Sequence, residues 1–195
     1  MLYTTLKPIV KLLIGTRFRV TVIGKENIPD HQVFIIAANH SSNYDPLLLS
    51  CNFTRKIHFL AKAELFRCKF LNYFFSAVHA IPVDRNTGIV IRPVRKALKI
   101  INRGEMLGIF PEGKRCRNGE IIQPKKGVAF FACKANVPIL PVAIVGVKKG
   151  YRTPVKIIIG SAIEVNNYNL NYSSLSLLVM NRIRELRINN SWMLD

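Results

Sequence analysis

The chain has 195 residues, enough for one domain with a sizeable core. Lysine and arginine number 29 against 11 acidic residues, a formal charge of +18, yet 49% of the residues are hydrophobic. So much apolar content excludes a disordered basic tail, and basic charge with apolar bulk points to an anionic membrane surface more than to nucleic acid.

Residues 1–19 read as an interfacial amphipathic helix. Leu2, Leu6, Ile9, Val10, Leu12, Leu13 and Ile14 share one broad face, Thr4, Lys7 and Lys11 the other, and Arg17 and Arg19 close the segment. Pro8 either kinks this helix or starts it. The same pattern suits a terminal helix packed on the core. No stretch is apolar for the roughly 18 residues a spanning helix needs, and Lys7 and Lys11 argue against a secretory signal.

Residues 20–195 alternate strands and helices. Phe18–Gly24 is strand-like, and Val33–Ala38 reads as a buried strand. His40-Ser-Ser-Asn-Tyr-Asp45 follows, with Asp45 at the N-cap and Pro46 at the first position of a helix. The histidine therefore sits on a tight strand-to-helix connection, and the aspartate can fold back to it. An imidazole held by a carboxylate is the part that takes a proton from a hydroxyl, and that hydroxyl can belong to a substrate. Taken singly, His40 suits a structural histidine and Asp45 a helix cap.

Ile57–Ala61 is a further strand. Lys62 follows it and reads as a solvated lysine. Glu64 to about Ala77 has a helical pattern, with Phe66, Phe70, Leu71, Tyr73, Phe74 and Phe75 forming an aromatic-rich arc beside Arg67. That arc suits core packing, a lipid-facing surface or an acyl-chain wall. Ile81–Val83 is extended and leads to Asp84-Arg85. The Arg85 fork suits a phosphate, although its position alone favours a surface ion pair with Asp84.

Gly88–Asn102 reads as a helix stopped by Gly104. Met106–Phe110 is a strand running into Pro111-Glu-Gly-Lys-Arg115. Gly113 allows close backbone approach to a ligand, and Glu112 can accept a ligand hydroxyl or hold Arg115. Lys114 and Arg115 add positive charge. Lys125-Lys-Gly127 opens a helix to Asn136, where backbone N–H groups also favour anions. Strands Ile139–Val145 and Val155–Ile159 and a closing helix Ser173–Asn189 complete an α/β pattern with a largely parallel sheet. The four cysteines, Cys51, Cys68, Cys116 and Cys133, form no C-x-x-C pair and have no histidine at ligand spacing. No metal is expected from them, and a reducing cytosolic compartment is.

Four blocks in order make this sequence resemble the glycerolipid acyltransferase family, the 1-acylglycerol-3-phosphate (lysophosphatidate) acyltransferases among them. His40 and Asp45 match a His-x4-Asp block, and Val83-Asp-Arg85 the end of a second. Phe110-Pro-Glu-Gly113 with Arg115 match Phe-Pro-Glu-Gly-Thr-Arg, and Val137-Pro-Ile-Leu-Pro-Val142 a fourth. The resemblance covers about residues 20–150. It implies a single mixed, mostly parallel sheet flanked by helices, and acyl transfer from acyl-CoA or acyl-carrier protein, with no other cofactor, to the sn-2 hydroxyl of lysophosphatidate. It also implies a general base in His40, an orienting group in Asp45, a phosphate site in Arg85 and Arg115, a glycerol pocket shaped by Glu112 and Gly113, and, set evenly against a solvated lysine, a secondary phosphate or active-site contact in Lys62. An anionic membrane surface is the implied partner, and the cytoplasmic face of the cell membrane, peripherally or monotopically, the implied location. The chain departs from the family at His79, Pro82, Lys114 and Cys116. Lys114 enlarges the anion site and leaves the acceptor head group open, so another lysolipid or a lyso-amino-acid lipid is the alternative. A basic nucleic-acid-binding domain would show aromatics interleaved with cations on an exposed surface, and none is evident here.

Overall fold

Among the described residues, the short apolar runs of the sequence become strands, and most amphipathic stretches between them become helices. The computed structural model describes residues 2–67, 80–84, 91–116, 120, 122–147, 150–167 and 171–191. In chain order it has α1 (Leu2–Arg17), β1 (Phe18–Ile23), β2 (Ile35–Ala38), α2 (Asp45–Asn52), β3 (Ile57–Lys62) and β4 (Ile81–Val83). There follow α3 (Ile91–Asn102), β5 (Met106–Ile109), α4 (Gly127–Ala135), β6 (Ile139–Val145), β7 (Thr153–Ile159) and α5 (Tyr172–Ser191). Ala63–Phe66 form a short 3₁₀ turn where the sequence suggests a long helix. Its expected continuation, with Cys68, Phe70, Leu71, Tyr73, Phe74, Phe75 and His79, lies outside the described residues.

The strands join into one seven-stranded sheet in the order β1-β7-β6-β2-β5-β3-β4. β6, β2, β5, β3 and β4 are mutually parallel; β7 is antiparallel to β6, and β1 runs parallel to β7. The expected α/β fold with a mostly parallel, mixed sheet is therefore present. Burial follows position. All seven residues of central β6 are buried, while edge strand β1 alternates between covered and exposed side chains.

Alternate residues of β2 face opposite sides of the sheet. Ile36 and Ala38 join a core with Ile14 of α1 and Leu48 and Leu49 of α2. Ile35 and Ala37 join a second core with Ala97, Ile100 and Ile101 of α3 and with residues of α4 and α5. So α1 and α2 cover one face, and α3, α4 and α5 the other.

α1 satisfies both readings of its pattern in part. Ile14 is buried and Val10 half-buried against the core, while Ile9, Leu12 and Leu13 are 52%, 69% and 61% exposed. Pro8 is inside the helix and does not start it. Lys7 does not join a solvent-facing polar side: its Nζ donates to the Phe53 carbonyl at 2.7 Å. Among the described residues, no helix is long and apolar enough to cross a membrane.

Candidate active site

β2 leads to the site through one side chain. The Asn39 amide donates to the Ile144 carbonyl (3.0 Å), and its oxygen accepts from the Ile144 N–H (2.7 Å). The side chain thus continues the β2–β6 ladder for one more step while the main chain turns away. That turn brings His40 to the C-terminal edge of the sheet.

Asp45 closes on His40 from the first turn of α2. Its Oδ2 lies 2.9 Å from His40 Nδ1 and accepts the N–H groups of Ser41 and Ser42, each at 2.7 Å. The carboxylate has 0% exposure, the histidine side chain 18%. Tyr44, not Asp45, occupies the cap position, and no side chain caps the helix. Asp45 instead caps the loop before it, because its side chain points back along the chain. Pro46 still falls in the first helical positions. A carboxylate acceptor requires a proton on Nδ1, which leaves the lone pair on Nε2.

The loop after β5 holds the same histidine from its other side. The His40 N–H donates to Glu112 Oε2 at 2.8 Å, and the Cys116 N–H donates to the His40 carbonyl at 2.8 Å. The His40 ring stacks on Phe110, with centroids 4.1 Å apart and planes at 17°. Phe110 in turn stacks on Phe59, at 5.6 Å and 14°. Gly108 makes room for this ladder, since a Cβ there would lie 2.3 Å from the Phe59 ring. One loop therefore fixes the donor, the acceptor and the ring of a single residue.

Glu112 is 5% exposed. Burial pushes its carboxyl up to about 7, with Asp45 adding repulsion, against the opposing pull of the His40 N–H and Arg187. Burial also pushes the Cys116 thiol up to about 11, with help from Glu112. Glu112 is thus turned inward onto His40, where the sequence suggested a contact with ligand or with Arg115. Gly113 has φ +69° and its N–H donates to the Phe110 carbonyl, so it serves the turn, with Lys125 packed where its Cβ would be.

Three of the expected anion-holding residues, Lys62, Lys114 and Arg115, lie at the same sheet edge but face solvent. Lys114 is exposed and pairs with Glu120 at 3.2 Å, and Arg115 is exposed. Lys62 ends β3, pairs across the ladder with Val83 and lies 3.8 Å from Glu64. Arg85 lies outside the described residues, two positions beyond Val83. Among the described residues, no group of His, Cys, Asp or Glu is arranged to hold a metal ion.

Residues 19–145 match the family model described as Acyltransferase. The chain belongs to the acyltransferase family. It is 34% identical over 160 residues to a protein of Bacillus subtilis named 1-acyl-sn-glycerol-3-phosphate acyltransferase, covering 79% of this chain and 78% of that one. A Borreliella burgdorferi protein of the same name is 37% identical over 130 residues, or 65% of this chain and 51% of its own length. The crystal structure of the 1-acyl-sn-glycerophosphate acyltransferase PlsC from Thermotoga maritima superposes with a TM-score of 0.75 and 26% identity, over 96% of this chain and 79% of that one. The acyltransferase fold and the His-x4-Asp pair thus occur here together. Sequence reasoning missed Asn39, which gives no signal beyond its place before His40, and Arg187, which lies in another element altogether.

Proposed function

We propose that this chain transfers a fatty acyl group from an acyl thioester to the free sn-2 hydroxyl of 1-acylglycerol-3-phosphate, giving phosphatidate. The observation that carries the reading is the buried Asp45 carboxylate on His40 Nδ1, in a chain whose relatives bear that activity in their names. His40 Nε2 takes the hydroxyl proton as the oxygen attacks the thioester carbonyl. A C–O bond forms, the C–S bond breaks, and the imidazolium returns the proton to the departing sulfur. Asp45 stabilises the charged ring in between. Base catalysis of this kind supplies about 10²–10⁴-fold, and holding both substrates in register supplies more.

Direct transfer is favoured over an acyl-cysteine intermediate. Cys116 is the thiol beside His40, and at about 11 it stays protonated near neutrality and is a poor nucleophile. Arg115, Lys114, Lys62 and Arg85 supply the phosphate site. The outward apolar stripe of α1, with Tyr151 79% exposed beside the shallow groove it lines, seats the protein on an anionic bilayer at the cytoplasmic face.

The test supplies purified protein with lysophosphatidate and an acyl thioester and follows thiol release. Release that depends on lysophosphatidate and falls to background in His40→Ala supports the reading. Equal release with lysophosphatidylcholine or with no acceptor overturns it.

A further inference from the structure

The second face of the sheet carries a charge pattern that catalysis leaves unused. α3 contains no acidic residue. Arg92, Arg95, Lys96, Lys99 and, one position beyond the helix, Arg103 are all exposed. Their spacing places all five within about 100° of one another around the helix axis. Ala97, Ile100 and Ile101 are buried on the opposite side. Among the described residues, none of the five forms an ion pair.

Stability alone works against this arrangement. Cations three and four residues apart repel, and Arg92 stands at the end of the helix that disfavours positive charge. The stripe is thus open to negative charge supplied by a partner.

Position narrows the choice of partner. α3 connects β4 to the parallel strand β5, so it starts at the sheet edge that carries His40 and runs away from it. The stripe from Arg92 to Arg103 is about 16 Å long. Apart from Ile91, the exposed face of α3 has no large apolar side chain to insert into lipid. It also lies across the sheet from α1, so with the apolar stripe of α1 on a bilayer, the cations of α3 face away from it. A nucleotide thioester gathers its phosphates at one end and would match one or two turns only.

We infer that the exposed face of α3 docks a small acidic protein that carries the acyl chain as a thioester. Its negative surface lies along Arg92, Lys96, Lys99 and Arg103, with its thioester arm reaching over the sheet edge toward His40. This rests on the acyl-transfer reading above and names the donor for that same site.

The test uses the full chain and the double variant Lys96→Glu/Lys99→Glu, neither residue being part of the catalytic machinery. Three measurements are made: binding of uncharged acyl carrier protein by fluorescence anisotropy, kcat/KM with palmitoyl-carrier protein and with palmitoyl-CoA, and co-sedimentation with phosphatidylglycerol vesicles. The variant is expected to bind the carrier about tenfold more weakly and to lose about tenfold in kcat/KM with the charged carrier, through KM and with a shallower salt dependence. Its rate with palmitoyl-CoA and its vesicle binding stay at the wild-type level. Unchanged carrier binding, an equal loss with both donors, or a loss confined to vesicles overturns the inference, the last assigning the stripe to the membrane. A wild-type protein that transfers from neither donor refutes the acyl-transfer reading instead, and the anisotropy measurement still decides the docking. If the reversal lowers the melting temperature, Lys96→Gln/Lys99→Gln replaces it, with about a threefold loss of carrier binding expected.

Discussion

Replacing Glu112 by glutamine removes one titrating group and keeps an oxygen for the His40 N–H. In the native protein the Glu112 carboxyl titrates near 7, against 4.5 as its ordinary value. Between those values the folded chain holds a proton that the unfolded chain has lost. Stability therefore falls as pH rises through this window and levels off above the folded value, the reverse of an ion-paired carboxylate. Carrying these two values from about pH 5 to about pH 8 gives a loss of about 2–3 kcal/mol from this group alone. The glutamine variant has no such titration, so the gap between the two proteins isolates it. Urea unfolding of both proteins across that range measures the gap. The wild type is expected to lose about 2–3 kcal/mol relative to Glu112→Gln, or about 4–12 °C in relative melting temperature for a chain of this size. Parallel stability profiles would refute the burial argument. Glu112→Ala adds a separate reading: without an acceptor for the His40 N–H it is expected to cost a further about 1–3 kcal/mol at every pH. If Glu112 acts by holding His40, glutamine keeps most activity and alanine does not. Equal loss in both would assign Glu112 to proton transfer or to the substrate.

Three other substitutions test neighbouring parts. Asp45→Asn retains an oxygen for Ser41, Ser42 and His40 but puts an NH₂ where Oδ1 has no partner; it is expected to cost about 1–3 kcal/mol in urea unfolding and about 10²–10⁴-fold in rate, and full activity would reduce Asp45 to a loop cap. Gly108→Ala forces the Phe59 ring to move, with an expected stability loss of about 1–3 kcal/mol and a fall in kcat relayed through Phe110 to His40; unchanged kcat would uncouple that ladder from catalysis. Leu12→Glu with Leu13→Glu changes only exposed positions of α1, so the melting temperature should hold while co-sedimentation with phosphatidylglycerol vesicles drops; undiminished co-sedimentation removes α1 as the docking helix.

The strands were legible because burial on both sheet faces leaves a continuous apolar run. Val33–Ala38 and Ile139–Val145 show it, and their observed bounds differ from the expected ones by at most two residues. His40 and Asp45 were legible because their spacing falls on one turn. The inward direction of Glu112 was not, since its contact with His40 spans 72 positions and depends on β2 and β5 lying side by side. The Asp45 cap was misassigned for a local reason: a carboxylate at the first helical position satisfies N–H groups on either side of it, and the two serines before it lie closer than its own helix. α1 was ambiguous because its apolar face is wide enough to serve two surfaces.

The loop after β5 divides its labour residue by residue. Glu112 is sealed beneath His40, while Lys114 and Arg115, two and three positions on, stand in water. Exchange of a solvated side chain usually shifts stability by no more than about 0.5 kcal/mol. On the proposed reading, lineages can thus retune which head group this edge prefers by drifting through those positions, without disturbing His40 and Asp45 underneath.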